Sequence, residues 1–339
     1  MLRPTIRSLN RRHYSTTSQP RKNLSSLAAG FVLSVGALTS FYIFFPHESR
    51  GALTSRDKKL SSSYFTPCTV TQSEPCGPNA RLITLSLPQK LLPDPEERQF
   101  SAIWSIFIKD DDIQVERPYT PLEGVDSNGQ MKIWIKKYTH GEVGRWLHSK
   151  KVGDEVEIRG PLQTWLWKSD DAWDEVVMIS GGTGIAPFYQ LYHQIISKGV
   201  SAKTRFTLLH SSRSPSELPP PEIMQQLSLY AVENPERFRF LIYVDSDSDH
   251  GPNSNVGRVG RIDKDAVAST VMRTNTNQWW IWPFKRSVEF DIRRTLFLVC
   301  GPEPMIAAIA GPYGRNLSQG LVGGALAELG ATSSQVYKL

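Results

Sequence analysis

The order of apolar and polar residues follows different patterns in different parts of the chain. Between about residues 60 and 165, short runs alternate apolar and polar residues with period two, which is typical of half-buried β-strands. Such runs occur at 81–87, 104–108, 132–136 and 155–158, with a short helix expected at 144–148. Several short alternating strands at this spacing indicate an antiparallel β-barrel or sandwich.

A second pattern begins near residue 172, where short apolar runs alternate with helical segments. Strands are expected at 175–179, 205–209, 239–244 and 295–299, and helices at 188–197 and 221–230. This alternation predicts a doubly wound α/β domain with a mostly parallel sheet. Since the connector falls near 162–174, we predict one domain over 60–165 and a second over 172–339.

The segment from Leu24 to Phe45 has no charged residue over 22 positions. As a helix it would be about 33 Å long, which is enough to cross the hydrocarbon core of a bilayer. Residues 1–22 are rich in Arg, Ser and Thr and contain no acid, which is the composition of a mitochondrial transit peptide. We therefore predict a transit peptide at 1–22 and a transmembrane anchor at 24–45. A disordered basic tail and a buried core helix are the alternatives.

The net charge of +6 is concentrated near the start of the chain. Six of the 39 basic residues lie within the first 47 positions, which contain no Asp or Glu. The rest of the chain carries 33 basic and 33 acidic residues and is neutral. A neutral body argues against a nucleic-acid partner, and three cysteines are too few for a disulfide scaffold.

The first motif with candidate chemistry is Arg117-Pro118-Tyr119-Thr120, which follows a strand. Arg offers forked donors to a phosphate. A Tyr two positions later lies on the same strand face, where its ring can pack on a flat cofactor. A motif of this kind is often only structural.

Two further motifs lie in the second domain. The glycine-rich stretch Gly181–Pro187 follows a strand, so the backbone can approach a ligand closely and the next helix start offers free N–H groups to a phosphate. Its alternative is a tight strand-to-helix turn. The stretch Cys300–Met305 closes the strand at 295–299, at the sheet end where such domains bind ligands, although a lone Cys is often just a small buried residue.

In this order and spacing, the three motifs resemble the ferredoxin–NADP reductase superfamily and, within it, the NADH–cytochrome b5 reductase branch. The resemblance covers about residues 64–339. It implies a mixed fold, in which an antiparallel barrel that binds FAD precedes the α/β domain that binds NADH or NADPH.

The resemblance implies roles for residues around the flavin. Arg117 would hold the FAD pyrophosphate, Tyr119 would pack on the flavin or its ribityl chain, and Thr120 would lie near the reactive flavin nitrogen. The other flavin-side residues would be Pro118, Lys136, Tyr138, Gly141, Val143 and Gly144. The family usually has Ser in place of Gly144 and Gly in place of Gln163, so backbone N–H groups would replace one hydroxyl contact to the phosphates.

The resemblance also implies a nicotinamide site. It would be formed by Gly182, Thr183, Gly184 and Pro187 on one side and by Cys300, Gly301, Pro302 and Met305 on the other. Glu303 replaces the commoner Pro. Thr120 and Cys300 are the candidate catalytic residues, and no metal site is expected. Arg213 would meet a 2′-phosphate, so the choice between NADH and NADPH stays open.

The expected chemistry is hydride transfer from nicotinamide to flavin, followed by electron transfer to haem or a haem protein. The chain is most similar to the fungal mitochondrial inner-membrane flavoproteins involved in haem attachment to cytochrome c. A mitochondrial NADH–cytochrome b5 reductase and a membrane-tethered assembly factor with little turnover are the alternatives. A transit peptide followed by an anchor would leave the body in the intermembrane space, although the flanking charges do not decide the orientation.

Three features keep competing interpretations. The insertion with Trp279–Phe284 is either a contact surface for a partner or membrane, or a loop folded onto its own domain. Cys68 and Cys76 are expected to be unpaired, with a disulfide as the alternative. Asp245–His250 lacks the glycine and the terminal Glu of a calcium loop, so we expect a solvated surface loop.

Overall fold

The computed structural model describes residues 52–93, 102–110, 114–167, 173–201, 203–245, 257–272 and 292–339. The chain divides into two units, Met1–Gly51 and Ala52–Leu339, and every described residue belongs to the second. The predicted transit peptide, the predicted anchor at 24–45 and the insertion with Trp279–Phe284 lie outside the described residues. Within the described ranges, no helix combines the length and the apolar character that a membrane span requires.

The first half of the second unit is a six-stranded antiparallel sheet. Its strands are β1 (Thr66–Pro75), β2 (Ala80–Ser86), β3 (Ile103–Lys109), β4 (Glu116–Tyr119), β5 (Gln130–Lys136) and β6 (Glu155–Trp165). Their order is β4-β3-β6-β1-β2-β5, so β4 and β5 are the edge strands. Helix α1 (Glu142–Ser149) follows β5 and buries Val143 and Leu147. The predicted antiparallel sheet is confirmed, and within the described residues no ladder joins β4 to β5 to close it into the predicted barrel.

The second half is a six-stranded parallel sheet, as the strand–helix alternation predicts. Its strands are β7 (Glu175–Gly181), β8 (Arg205–Ser212), β9 (Phe238–Val244), β10 (Arg258–Val259), β11 (Thr295–Cys300) and β12 (Val336–Lys338), in the order β10-β9-β8-β7-β11-β12. The helices are α2 (Ala186–Leu191), α3 (Pro221–Glu233), α4 (Lys264–Met272), α5 (Glu303–Ala310) and α6 (Gly324–Glu328).

Helices cover both faces of the parallel sheet. Successive residues of a strand point to opposite faces, and Val176 packs in one apolar core while Val177 packs in the other. Helices α2 and α3 contribute to the first core, and α4, α5 and α6 to the second. This arrangement explains why β7 is buried along its whole length and reads as a continuous apolar run.

Several elements differ from the sequence expectations. Residues Arg117 and Tyr119 lie inside β4 instead of after a strand. The period-two pattern does not reveal β1, because this strand contains two prolines and several polar residues. The helix expected at 188–197 begins earlier, at Ala186, and ends in a π-helical turn at Tyr192–Ile196.

The two cysteines of the first sheet are unpaired. Cys68 is buried in β1, and Cys76 is half-buried one residue after it. Burial raises the pKa of both thiols above its ordinary value. Both are therefore neutral small side chains at neutral pH.

The two sheets share an apolar core and a buried hydrogen-bonded contact. Ile103 and Trp134 of the first sheet pack in the same cluster as α2. The fully buried amide of Gln190 bridges the halves: its Oε1 accepts a hydrogen bond from the Trp104 N–H at 2.7 Å, and its Nε2 donates to the Pro121 carbonyl at 2.8 Å. This contact sets how α2 sits against β3.

Candidate functional site

Two neighbouring clefts lie where the sheets meet. The first cleft, of about 580 Å³, is lined by β4, β5, the start of α1, the glycine-rich turn after β7 and the end of β11. The second cleft, of about 350 Å³, lies beside β5, the loop after β8 and helix α5. They share five residues: Lys136, Tyr138, Gly181, Arg213 and Pro302. The clefts are therefore continuous.

The structure brings the sequence-predicted site residues together. Sixteen of the eighteen line the first cleft: Arg117, Pro118, Tyr119, Thr120, Lys136, Tyr138, Gly141, Val143, Gly144, Thr183, Gly184, Pro187, Arg213, Cys300, Gly301 and Pro302. The other two, Gly182 and Met305, line the second. Their individual binding roles remain predictions.

The edge strand β4 presents an arginine and a tyrosine to the first cleft. The exposed Arg117 is oriented by a hydrogen bond from its Nη1 to the Glu116 carbonyl at 2.9 Å. Tyr119 is half-buried, and burial raises the pKa of its phenol, which stays neutral. The strand alternation places both side chains on one face, with Thr120 at the end of the strand.

The start of α1 supplies backbone donors to the same cleft. Its N-cap residue is Gly141, and no side chain caps the helix. The N–H groups of the first turn have no acceptor within the helix. A Cβ at Gly144 would lie 3.0 Å from the Lys136 carbonyl oxygen, so the absence of a side chain lets the helix sit close to β5. Gln163, the other departure from the family pattern, is an exposed residue of β6 opposite Trp104.

The glycine-rich turn after β7 packs tightly against the end of β11. Gly182 has a φ of +55°, which favours glycine. A Cβ at Gly181 would lie 2.6 Å from the Met305 sulfur, and a Cβ at Gly184 would overlap the Cys300 carbonyl. Glycine is thus required here by close packing as well as by access for a ligand.

Cys300 ends β11 at the wall of the first cleft. Burial of its sulfur raises the pKa of the thiol to about 12. The side chain is therefore a neutral thiol at physiological pH and not a thiolate nucleophile. Its predicted catalytic role can only be one of contact and positioning.

The sequence interpretation missed four charged residues of the second cleft: Lys137, Glu217, Asp245 and Arg261. Glu217 pairs with Lys136, with Oε2 2.8 Å from Nζ, and Asp245 lies 3.4 Å from the Arg261 Nε. Asp245, the first residue of the predicted solvated loop, is exposed and also lines the second cleft, and residues 246–250 lie outside the described ranges. Their position in the sequence could have revealed Glu217, Asp245 and Arg261, because charged residues that follow the carboxyl end of a parallel strand lie where such sheets bind ligands.

A chain of buried polar groups runs beneath the second cleft. The His210 Nδ1 lies 2.9 Å from the Ser180 Oγ, and its Nε2 lies 3.1 Å from the Ser212 Oγ, which donates to the Glu217 carbonyl at 3.3 Å. Burial, with Lys136 nearby, lowers the pKa of His210 to about 3, so the imidazole is neutral. The Ser180 Oγ also lies 3.3 Å from the Leu209 carbonyl oxygen, so its single hydroxyl proton can be donated either to that carbonyl or to the His210 Nδ1.

Two family models match the two halves of the chain. The oxidoreductase FAD-binding domain matches residues 67–167, and the oxidoreductase NAD-binding domain matches residues 178–311. The protein is therefore an FAD- and NAD-binding oxidoreductase. The first cleft fits a flavin dinucleotide, because Arg117 and the free N–H groups of α1 offer donors to a diphosphate, and Gly144 and Gly184 leave space that side chains would fill.

Solved structures of known reductases share the fold. The cytochrome b5 reductase domain of Ulva prolifera nitrate reductase superposes with a TM-score of 0.59 at 18% identity, over 83% of this chain and 99% of that chain. A ferredoxin NADP+ reductase from Neisseria gonorrhoeae superposes with a TM-score of 0.56 at 16% identity, over 81% of this chain and 98% of that chain. At such identities the likeness concerns the fold.

Sequence relatives are more specific. An NADH-cytochrome b5 reductase 2 of Meyerozyma guilliermondii is 32% identical over 70% of this chain and 72% of its own length. The protein of the same name from Saccharomyces cerevisiae is 26% identical over 96% of this chain and 99% of its own length. With both clefts, both domain types and these relatives in place, the chain belongs to the NADH–cytochrome b5 reductase family.

Proposed function

We propose that this protein is a membrane-anchored reductase that takes a hydride from NADH onto FAD and passes electrons to a haem protein. The observation that carries the proposal is the continuity of the two clefts, because both dinucleotides must meet there. The shared residues come from both halves: Lys136 and Tyr138 from the first, and Gly181, Arg213 and Pro302 from the second.

FAD, when bound, supplies the chemistry of accepting two electrons as hydride and releasing them singly. The protein's own residues bind and align. Arg117 and the N–H groups of α1 would hold the flavin diphosphate, and Tyr119 would pack beside the flavin. Gly182 and Gly184 would let the nicotinamide dinucleotide approach the end of β11. Since hydride transfer needs no general base, a neutral Cys300 thiol is compatible with the reaction.

NADH is the proposed donor. Asp245 lines the second cleft, and a carboxylate at the end of such a strand suits the ribose 2′-hydroxyl of NADH and repels the 2′-phosphate of NADPH. The relatives carry NADH in their names. Arg213 and Arg261 line the same cleft and would favour NADPH, so Asp245 is the residue whose removal should relax the preference.

The proposed location is the mitochondrial inner membrane, with the body in the intermembrane space. The acid-free segment 1–22 and the uncharged segment 24–45 support this location. The proposal requires that the chain be recovered in the membrane fraction of mitochondria and be cut by protease only after the outer membrane is opened.

Two acceptors are proposed. Cytochrome b5 is the first, since the relatives' names contain it. Haem delivered for attachment to cytochrome c is the second, on the resemblance to fungal flavoproteins of that process. The alternative class, a tethered assembly factor with little turnover, is motivated by Gly144, which lines the first cleft where the family usually has Ser. Gln163, the other departure from the family pattern, is not among the residues that line the two clefts.

The test uses full-length protein in detergent, reconstituted with FAD. Anaerobic NADH is added first, and then oxidised cytochrome b5, haemin or cytochrome c in parallel. We expect the flavin to be reduced and then reoxidised by one of the haem acceptors over many turnovers. Protein that binds FAD but shows no turnover with any acceptor would support the assembly factor, and protein that binds no FAD would contradict the reductase.

A further inference from the structure

The ion pair between Lys136 and Glu217 occupies an unexpected place. Lys136 lines both clefts, and a Cβ on Gly182 would lie 3.7 Å from its Nζ, so the ammonium stands directly over the glycine-rich turn. Its Nζ donates to the Glu217 Oε2 at 2.8 Å. A cation over such a turn suits the diphosphate of a dinucleotide, whereas a carboxylate there repels it.

The carboxylate is held in place from below. Glu217 ends a short 3₁₀ turn, Pro215–Glu217, whose last carbonyl accepts a hydrogen bond from Ser212. Ser212 is in turn fixed by His210, and His210 by Ser180. All three of these supporting residues are fully or almost fully buried. The loop therefore presents the Glu217 side chain to Lys136 from a rigid base.

The pair is sheltered but not sealed. The Lys136 side chain is 10% exposed and the Glu217 side chain 26% exposed. A sheltered ammonium needs a counter-charge, because an unpaired buried charge is costly. A partly exposed carboxylate such as that of Glu217 can, however, turn into solvent once another anion takes its place beside Lys136.

We propose that Glu217 is a positioning residue that keeps Lys136 in place over the glycine-rich turn and yields it to the diphosphate of the incoming dinucleotide. This inference rests on the proposed function, because it assumes that NADH binds in the second cleft. Because NADH and NAD⁺ carry the same diphosphate, Glu217 would weaken the binding of both. It would thereby speed the release of the product NAD⁺ at the cost of affinity for the donor NADH.

A second lysine–glutamate pair, four residues earlier on β5, provides a matched control. Lys132 of β5 and Glu222 of α3 also form a lysine–glutamate pair across the two halves, with Nζ 3.8 Å from Oε2. Their side chains are 41% and 62% exposed, and neither residue lines the two clefts. Glu222→Gln removes the same charge from the same interface and leaves the Lys136–Glu217 pair intact.

The experiment measures binding of NAD⁺ to the oxidised FAD-loaded protein by isothermal titration calorimetry, with adenosine as a ligand that lacks the diphosphate. We expect Glu217→Gln to bind NAD⁺ about fivefold more tightly than the unchanged protein and adenosine equally well. We expect Glu217→Asp and Glu222→Gln to stay within about twofold of the unchanged protein. In a Lys136→Met background, Glu217→Gln should give a smaller gain than in the unchanged protein, because only the direct repulsion between the carboxylate and the diphosphate is then removed.

Flavin absorbance and a thermal melt of each variant show that it is folded. If Glu217→Gln is folded and binds NAD⁺ no more tightly than the unchanged protein, the proposal that the diphosphate replaces Glu217 as the partner of Lys136 is wrong. If it binds adenosine more tightly as well, Glu217 shapes the cleft without competing for Lys136, which also overturns the inference. If none of the proteins, including the unchanged one, binds NAD⁺, the proposed function itself fails and the inference with it.

Discussion

Two of the polar contacts between the two halves of the molecule are opposite in character. At Gln190, a neutral amide with no exposure satisfies one donor and one acceptor of the other half. At Lys136 and Glu217, two charges meet at the wall of a cleft, and both are partly exposed. A buried neutral contact cannot be exchanged without leaving orphaned backbone groups, whereas a charged contact at a ligand site can pass to another anion. One contact therefore fixes the architecture, and the other is available to a ligand.

The largest expected effect is on stability, when the buried contact of Gln190 is removed. Gln190→Leu removes the buried hydrogen bonds to the Trp104 N–H and the Pro121 carbonyl, so we expect the free energy of unfolding to fall by about 2–4 kcal/mol. Urea denaturation of the FAD-loaded protein measures this change.

The matched control is Gln225→Leu, an exposed residue on α3. Its free energy of unfolding should change by less than about 0.5 kcal/mol. Equal effects at positions 190 and 225 would show that the buried amide is not what joins the halves.

The second prediction concerns the glycine-rich turn at the ligand site, which is altered here without a change of charge. Gly184→Ala places a methyl group against the Cys300 carbonyl, so the glycine-rich turn must move away from β11. We expect the rate of flavin reduction by NADH to fall about tenfold to hundredfold, because hydride transfer depends steeply on ring position. Rapid-mixing absorbance measures this rate.

Gly153→Ala tests whether the loss is local. Gly153 has a φ of +97° in an open turn with no atom within 4 Å of a built Cβ. Substitution there strains the turn but should leave flavin reduction unchanged. A comparable loss of rate in Gly153→Ala would mean that general destabilisation, and not the contact with Cys300, limits the reaction.

The third prediction concerns His210, which lies in the buried polar chain that supports the Lys136–Glu217 pair. The pKa of His210 is about 3 in the folded protein against an ordinary value of 6.5. The unfolded chain therefore takes up a proton near pH 6.5, while the folded chain does not, and stability falls as the pH decreases toward 3. Between about pH 6.5 and about pH 5 we expect His210 to contribute a loss of about 1.5 kcal/mol.

His210→Phe removes the titrating imidazole, so the difference between this variant and the unchanged protein isolates the contribution of His210 to the pH dependence of stability. The variant should be less stable at neutral pH, because Ser180 and Ser212 lose their partner, but its stability should fall less between those pH values. Equal losses in the two proteins would show that the pKa of His210 is the same in the folded and unfolded chain, which contradicts the prediction.

The order of motifs made the architecture predictable, but not these contacts. Alternation in β2 and β5 and the apolar runs of β7, β8 and β11 are local signals, and local signals survive in the sequence. Strand β4 is only four residues long and contains proline, so its pattern is too short to read. Gln190 and Glu217 are invisible for another reason: each acts through a partner more than 60 positions away, which only the folded chain brings near.

The central claim is that the continuous clefts carry hydride from NADH to a bound flavin. Full-length, FAD-loaded protein is mixed anaerobically with NADH or with NADPH, and the visible absorbance band of the flavin is followed in time. We predict that the band bleaches with both donors, that NADH is the faster, and that Asp245→Ser narrows the difference. A flavin band that stays unchanged with NADH would contradict the account.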